Sequence, residues 1–323
     1  MRYVLVFAIA AVVTSLVIPT IRYFALKFAI VDRRSKRKLH NRIVTRFGGI
    51  GIYIGFIFAM ANAFIFSSLL GHQDFLDYAF VIMASTLVLI LGIFDDARGA
   101  NAFVKFTVQI LAALILTQAG FTIRIISNPF GQPIETGFLA VPLTILWLVG
   151  ITNAINLIDG MDGLAAGIAF IVCCGMAYMF ITSNVVMPAF FAVALAGACL
   201  GFLRFNFMPA RIFMGDTGSL FLGFSIAALA VLTHRKGHAT IGLFLPAVIG
   251  LGIPIYDTAV AFTRRLFIKK TNPFRADNDH IHHVLLRLKI NQMYVVIILW
   301  VITAILNIAA IIIYNCSLKP PYC

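Results

Sequence analysis

Asp95 and Asp96 stand side by side at the end of an apolar run. Adjacent carboxylates repel each other, and such a pair is most useful beside a cation. The plain structural alternative is a cap for the next helix, with Asn101 as a rival for that task. Downstream, Asn153, Asn156, Asp159 and Asp162 recur at every third residue of NAINLIDGMDGL. On a helix each step of three turns the side chain by about −60°, so neighbours in the series share a face. Gly160 and Gly163 interrupt that helix and let backbone come close to a ligand. Capping plus a turn would explain one Asp and one Gly, but not the whole set. A third block, RFNFMPARIFMGDTGS, runs from Arg204 to Ser219. Asp216 opens an apolar segment there, beside two glycines and two hydroxyls. A lone Asp would be an ordinary N-cap, but Arg204, Asn206 and Arg211 upstream favour a phosphate or metal site. Phe213 is placed to stack on a base, although packing or lipid contact is the commoner fate of any one of thirty Phe.

A fourth stretch, residues 273–283, gathers Asp277, Asp279, His280, His282 and His283. Zinc is one reading of His-x-His near Asp. No thiolate stands nearby, and the carboxylates elsewhere favour a hard, oxygen-seeking ion such as Mg²⁺. Together the four stretches predict a site that handles a metal and a polyanion.

Such residues need a scaffold, and composition says which kind. The chain has 323 residues, is 61% hydrophobic and 11% charged, and has a mean hydropathy of +0.99. Repeated long apolar runs identify a polytopic membrane protein. The run from Met1 to Ile30 is too long for a signal-peptide core, and is read as a retained first span. Ten segments are long enough to cross: 3–31, 47–70, 78–94, 102–120, 138–156, 163–182, 186–204, 217–233, 240–265 and 292–315. The fold expected is therefore all-α, about ten transmembrane helices in one domain, 1–323. A short hairpin is expected in the loop 121–137. Pro254 and Asp257 fall inside the ninth segment, where a buried Asp is functional or paired with a neighbouring helix.

The net charge of +13 reports topology first. Alternate loops hold eighteen Lys and Arg on one side against five on the other. The positive-inside rule then places both termini outside and the basic loops in the cytoplasm. Nine of the twelve acids, including Asp95, Asp96, Asp159, Asp162, Asp216 and Asp257, fall on that cytoplasmic side. Nucleic-acid binding is the competing reading of the charge, and is set aside because the basic residues lie in short loops between spans. Cys173, Cys174 and Cys199 lie in apolar runs and read as small buried hydrophobes.

These blocks, in this order, resemble the polyprenyl-phosphate N-acetylhexosamine-1-phosphate transferases, from about Asp32 to His283. The resemblance is carried by the basic loop ending in Gly48-Gly49, Asp95-Asp96, NxxNxxDGxDGL, RFNFxPAxxFMGDTGS and HIHH. RFNF and HIHH look more like the branch making lipid-linked GlcNAc than the one transferring phospho-MurNAc-pentapeptide. The family reaction joins HexNAc-1-phosphate from a UDP-sugar to undecaprenyl phosphate, releases UMP and uses Mg²⁺, with Mn²⁺ as a substitute. It is the first membrane step of a cell-envelope glycan, at the cytoplasmic face of a bacterial inner membrane.

Carried over by motif, Asp216 resembles the main metal ligand, with Asn156 as partner. Asp95 resembles the residue that deprotonates or positions the lipid phosphate, supported by Asp96, and Asp159 joins this catalytic group. Asp162, Asn206 and Phe213 match uridine-binding positions. Lys105, His280, His282 and His283 match positions near pyrophosphate and sugar, and Asn153 and Arg204 are read as further substrate contacts. One departure is the loop after the first span, where Arg34 and Val44 stand at usual proline positions. The implied partners are a UDP-N-acetylhexosamine, undecaprenyl phosphate and the bilayer, with no nucleic acid; a homodimer is left open. A secondary transporter with intramembrane carboxylates is the alternative from another class. It should show internal repeats and polar sites at the bilayer midplane.

Overall fold

The computed structural model describes residues 1–28, 44–66, 72–126, 134–232, 247–268 and 281–318. Eleven α-helices are labelled here in chain order. They are α1 (Arg2–Lys27), α2 (Gly48–Phe66), α3 (His72–Arg98), α4 (Ala102–Gln118), α5 (Ala140–Ile158) and α6 (Leu164–Thr182). The rest are α7 (Val186–Asn206), α8 (Gly215–Leu232), α9 (Gly252–Thr263), α10 (Ile281–Arg287) and α11 (Gln292–Leu318). A π-helical turn, Arg264–Ile268, extends α9.

Among the described residues, eight helices are long and apolar enough to cross a membrane: α1, α2, α3, α5, α6, α7, α8 and α11. The protein is an all-α polytopic membrane protein. Two of the ten expected spans are shorter as helices. Helix α4 has 17 residues and α9 has 12. The first half of the ninth segment lies outside the described residues.

Helix α7 lies at the centre, against α1, α2 and α6, while α8 packs on α2, α3 and α5. Lipid offers no hydrophobic drive for helices to associate, so close packing must supply it, and small residues at the crossings permit it. Gly197 and Gly201 of α7 lie where any Cβ would run into the carbonyls of Phe7 and Ala11 of α1. The outer helices show the opposite pattern. Val301, Ile305, Ile308 and Ile312 of α11 are exposed, as are Val4, Val12 and Leu16 of α1. These faces meet lipid tails. Buried hydroxyls inside the bundle, such as Thr144, Thr152 and Thr303, donate to the carbonyl four residues back in their own helix. That keeps polar atoms satisfied where water is absent.

The expected hairpin is present as two short antiparallel strands, β1 (Ile125–Ile126) and β2 (Ile134–Glu135). Ile125 pairs with Glu135 and Ile126 with Ile134. Cys173 and Cys199 are buried as expected, but Cys174 is exposed. It is one residue from Cys173, about 100° round the helix, and so points off the packed face.

Candidate active site

Three helix ends converge. Asp95 and Asp96 lie in the last turn of α3, Asn156 in the last turn of α5, and Asp216 in the first turn of α8. Helix α8 runs antiparallel to both neighbours, which brings its N-terminus to their C-termini. The carboxylates therefore meet at one end of the bundle rather than at its middle.

Lys105 of α4 is the centre of this cluster. Its Nζ lies 2.5 Å from Asp95 Oδ2 and 2.5 Å from Asp216 Oδ2. One ammonium thus bridges two carboxylates from different helices, 111 residues apart in the case of Asp216. The short turn between α3 and α4 makes this reach possible. Ala100 N donates to Asp95 Oδ1 at 2.6 Å, and Asn101 caps α4 by accepting from Val104 N at 2.8 Å. Asn101 therefore takes the cap role that was the rival explanation for the acid pair.

Asp96 caps a helix too, though not its neighbour in sequence. Its carboxylate accepts from Asp216 N (3.1 Å), Thr217 N (2.9 Å) and Thr217 Oγ1 (2.7 Å), and so closes the N-terminus of α8. The N–H groups of that first turn lack intrahelical partners, and an anion there also meets the positive end of the helix dipole. Gly215 has φ +70°, and a Cβ on it would collide with the Asp96 carboxylate. Glycine is required on both counts. Asp216 is thereby released from capping and turns its side chain to Lys105.

Asn156 donates to Ser219 Oγ at 2.8 Å, across the α5–α8 contact. Asn153, one turn earlier, is spent differently. Its amide donates to Gln109 Oε1 at 2.6 Å and to Val149 O at 2.8 Å, tying α5 to α4. Helix α5 then ends at Ile158. The every-third-residue series shares a helical face only for Asn153 and Asn156, because Asp159 is the C-cap and Asp162 lies in the following turn. Burial raises the Asp159 carboxyl, and the charges of Asp216, Asp96 and Asp162 push it further, to about 8.

Asp162 and Asn206 are buried and hold loops. Asp162 Oδ2 accepts from Ala210 N at 2.8 Å. Asn206 accepts from Gly163 N at 3.0 Å and donates to Ile212 O at 2.9 Å. These bonds lock the loop after α5 to the segment between α7 and α8, which carries Phe213. That segment is also joined to the entry of α2. Phe213 N donates to Thr45 O at 2.8 Å, while Gly48 N and Gly49 N donate to the carbonyls of Phe213 and Met214, each at 3.0 Å. The Phe213 ring is half-buried. Arg204 is exposed, its guanidinium 5.7 Å from the Phe205 ring centre.

Asp257 is buried in α9 and accepts from Ile281 N at 2.7 Å, holding the start of α10. His280, Asp32, Asp277 and Asp279 lie outside the described residues, as do the side chains of His282 and His283. The cluster also contains Gln109, which motif reading passed over, and the two hydroxyls it noted only as neighbours of Asp216. Gln109 is fully buried, and Thr217 and Ser219 carry bonds at the start of α8. The signal for Gln109 was its spacing, four residues after Lys105 and so on the same helical face.

The donor set can be tested against a divalent ion. Among the described residues no three His, Cys, Asp or Glu side chains converge as a ready cage. Asp95 and Asp216 do share one cation already, in the form of the Lys105 ammonium. Two carboxylates flanked by an amide and a hydroxyl form an all-oxygen set. Mg²⁺ is characteristically held by one or two carboxylates plus substrate phosphates and water, so the residues fit it.

The model for glycosyl transferase family 4 matches residues 78–234, which include both acid-bearing helix ends. A probable undecaprenyl-phosphate N-acetylglucosaminyl 1-phosphate transferase of Bacillus subtilis is 36% identical, over 98% of this chain and 86% of the relative. A decaprenyl-phosphate N-acetylglucosaminephosphotransferase of Mycolicibacterium smegmatis is 31% identical, over 93% of this chain and 79% of the relative. A phospho-N-acetylmuramoyl-pentapeptide-transferase of Caldicellulosiruptor bescii is 30% identical, over 94% of each. Similarity of that depth along nearly the whole length, with the acid clusters inside the matched region, means that the chain belongs to glycosyl transferase family 4, the polyprenyl-phosphate N-acetylhexosamine-1-phosphate transferases.

Proposed function

We infer that the protein transfers GlcNAc-1-phosphate from UDP-GlcNAc to undecaprenyl phosphate and releases UMP. The observation that carries this reading is the Lys105 ammonium held between Asp95 and Asp216 at one end of the bundle. A lipid phosphate is anchored at the membrane surface and a nucleotide sugar arrives from water. A charged cluster at helix ends is where the two can meet. The positive-inside pattern supports a cytoplasmic position for that end, both termini outside, and residence in a bacterial inner membrane.

In this reaction an oxygen of the lipid phosphate attacks the sugar-bearing phosphorus of the diphosphate. The bond from that phosphorus to the bridging oxygen breaks, and the electron pair leaves with UMP. Little covalent chemistry is asked of the protein, so catalysis is positioning plus electrostatics. Lys105 supplies positive charge to phosphate oxygens crowding together. Asp95, next to that ammonium, accepts the proton of a monoprotonated lipid phosphate or orients the dianion. Asp96 keeps α8 closed at its N-terminus, which fixes where Asp216 points. Asp159 adds a carboxyl beside the cluster, one that burial pushes up in the metal-free site. Phe213 provides a face for the uracil ring, with Asp162 and Asn206 holding its loop in place. Arg204, Asn153 and the His280, His282 and His283 group are assigned to further substrate contacts. Mg²⁺, bound at Asp216 with Asn156 adjacent, would supply charge neutralisation to the diphosphate, and Mn²⁺ would substitute.

The test is UMP release by purified protein given undecaprenyl phosphate and a panel of UDP-sugars. Release with UDP-GlcNAc, lost on chelation and restored by Mg²⁺, is the expected result. No UMP with any UDP-HexNAc under Mg²⁺ would sink the reading. Activity surviving exhaustive chelation would remove the metal but leave the transfer.

A further inference from the structure

Arg46 belongs to the basic loop before α2, and motif reading gave it no task. Its guanidinium nitrogen lies 3.8 Å from Asp96 Oδ1, and its side chain stays 36% exposed. Asp96 itself is 1% exposed and already takes three hydrogen bonds from the first turn of α8. The Asp96 carboxylate therefore does not depend on Arg46 for its partners. Arg46 also acts on a second acid, since its charge pulls against the upward push on the Asp159 carboxyl. Among the described residues it reaches the acid cluster from the segment before α2, whereas Lys105 reaches it from α4.

The backbone on either side of Arg46 is built rather than loose. Thr45 is buried and forms a parallel bridge with Ile212, and its carbonyl accepts from Phe213 N. Phe47 is buried with φ at +77°, a left-handed conformation that a bulky residue rarely adopts. Such strain persists only where the surroundings over-determine it, and it clusters at binding and catalytic sites. Here the bonds from Gly48 N and Gly49 N to Phe213 O and Met214 O hold the turn in place. The outcome is a long cation on a fixed base, beside the Asp96 carboxylate that ends α3 and caps α8.

We propose that Arg46 is a substrate-binding residue whose guanidinium contacts a phosphate oxyanion at the Asp95–Asp216 cluster. The proposal rests on the transfer reaction inferred above. A planar guanidinium suits it, because it binds two phosphate oxygens at once where an ammonium binds as a point charge. The oxyanion has two sources, the lipid phosphate and the nucleotide diphosphate, and steady-state kinetics separate them.

Full-length protein and the Arg46→Ala, Arg46→Gln and Arg46→Lys variants are assayed for UMP release. UDP-GlcNAc and undecaprenyl phosphate are each varied with the other saturating. The expected result is a KM rise of roughly ten- to a hundredfold for one of the two substrates in the neutral variants, the cost of one charged hydrogen-bonding group. A smaller rise is expected for Arg46→Lys. A rise for undecaprenyl phosphate alone assigns the contact to the lipid, and a rise for UDP-GlcNAc alone assigns it to the nucleotide. Two KM values within about twofold of the wild type overturn the proposal, whether or not kcat or thermal stability falls, since that pattern marks a purely structural arginine. Should Arg46→Ala fail to fold, Arg46→Gln and Arg46→Lys decide by the same comparison. Wild-type protein that releases no UMP defeats the transfer reading itself, a different failure from unchanged KM values in an active variant.

Discussion

Lys105 is the residue on which the acid cluster balances. Two carboxylates held close to one another destabilise each other's charge, and the shared ammonium offsets this. Lys105→Met should lower UMP release by roughly 10²- to 10³-fold, the usual loss for one preorganised charge-stabilising donor. The check is turnover at saturating substrates, and turnover close to wild type would dismiss Lys105 from the site. Asp216→Asn keeps shape and loses charge, so turnover should fall and the Mg²⁺ concentration for half-activity should rise. An unchanged Mg²⁺ titration would exclude Asp216 as a ligand. Asp159 gives a pH signature. Its carboxyl is near 8 in the folded protein, against about 3.9 when unfolded. Between those values the folded state binds the extra proton, so stability falls as pH rises through the window and levels off above it. In metal-free protein the thermal midpoint of wild type should therefore drop relative to Asp159→Asn from pH 5 to pH 8. A difference independent of pH would rule out the raised carboxyl.

At the scale of elements, the site depends on helix ends that are closed by side chains from elsewhere in the chain. Asp96 of α3 caps α8 and Asp257 of α9 holds α10, while Asn153 of α5 ties to Gln109 of α4 between helix interiors. Removing the Asp96 carboxylate orphans backbone donors at the start of α8. Asp96→Ala should cost about 2 kcal/mol of stability as well as activity. Gly215→Ala should mimic the loss, because its methyl would displace the same carboxylate. Thermal unfolding with a turnover assay checks both, and a stable, active Gly215→Ala would refute the contact of Gly215 with the Asp96 carboxylate. Gln109→Leu makes the opposite test. Among the described residues Gln109 Nε2 has no partner, and Asn153 would retain its bond to Val149 O. The substitution should thus change stability by under about 1 kcal/mol, since it removes an orphaned donor along with one bond.

Across the whole molecule, the arrangement places small residues and buried helices inside, and apolar faces of α1 and α11 outside. The acid cluster is confined to one end. A midplane site flanked by repeats, as a transporter would have, is not the pattern these carboxylates form. Charge asymmetry predicts that cysteines introduced next to Arg98 and Arg211 react with a membrane-impermeant thiol reagent only from the cytoplasmic side. One placed beside Glu135, in the hairpin, should react from outside. Background variants need Cys174 and Cys316 removed, because both are exposed. Labelling of the hairpin and the acid-bearing loops from the same side would overturn the orientation.

How much of this was legible in the chain follows from the range of the interactions. Long apolar runs and caps act within a few residues, so eight of the ten expected spans, the hairpin and the Asn101 cap could be read from local sequence. The acid blocks were visible as well, because charge is rare in so apolar a chain. The division of labour inside them was not. Asp95 and Asp96 look equivalent as neighbours, yet successive side chains on a helix point about 100° apart. One therefore meets Lys105 and the other meets α8. Asp162, Asn206 and Asn153 look like ligands in a motif, and their bonds to Ala210, Gly163 and Gln109 come from chain folding back over tens of residues. The sequence by itself determined that this protein crosses a membrane many times, since solvent preference is a property of each segment. Only the tertiary structure decided which acid shares a cation and which closes a helix, because those choices depend on helices brought together from distant parts of the chain.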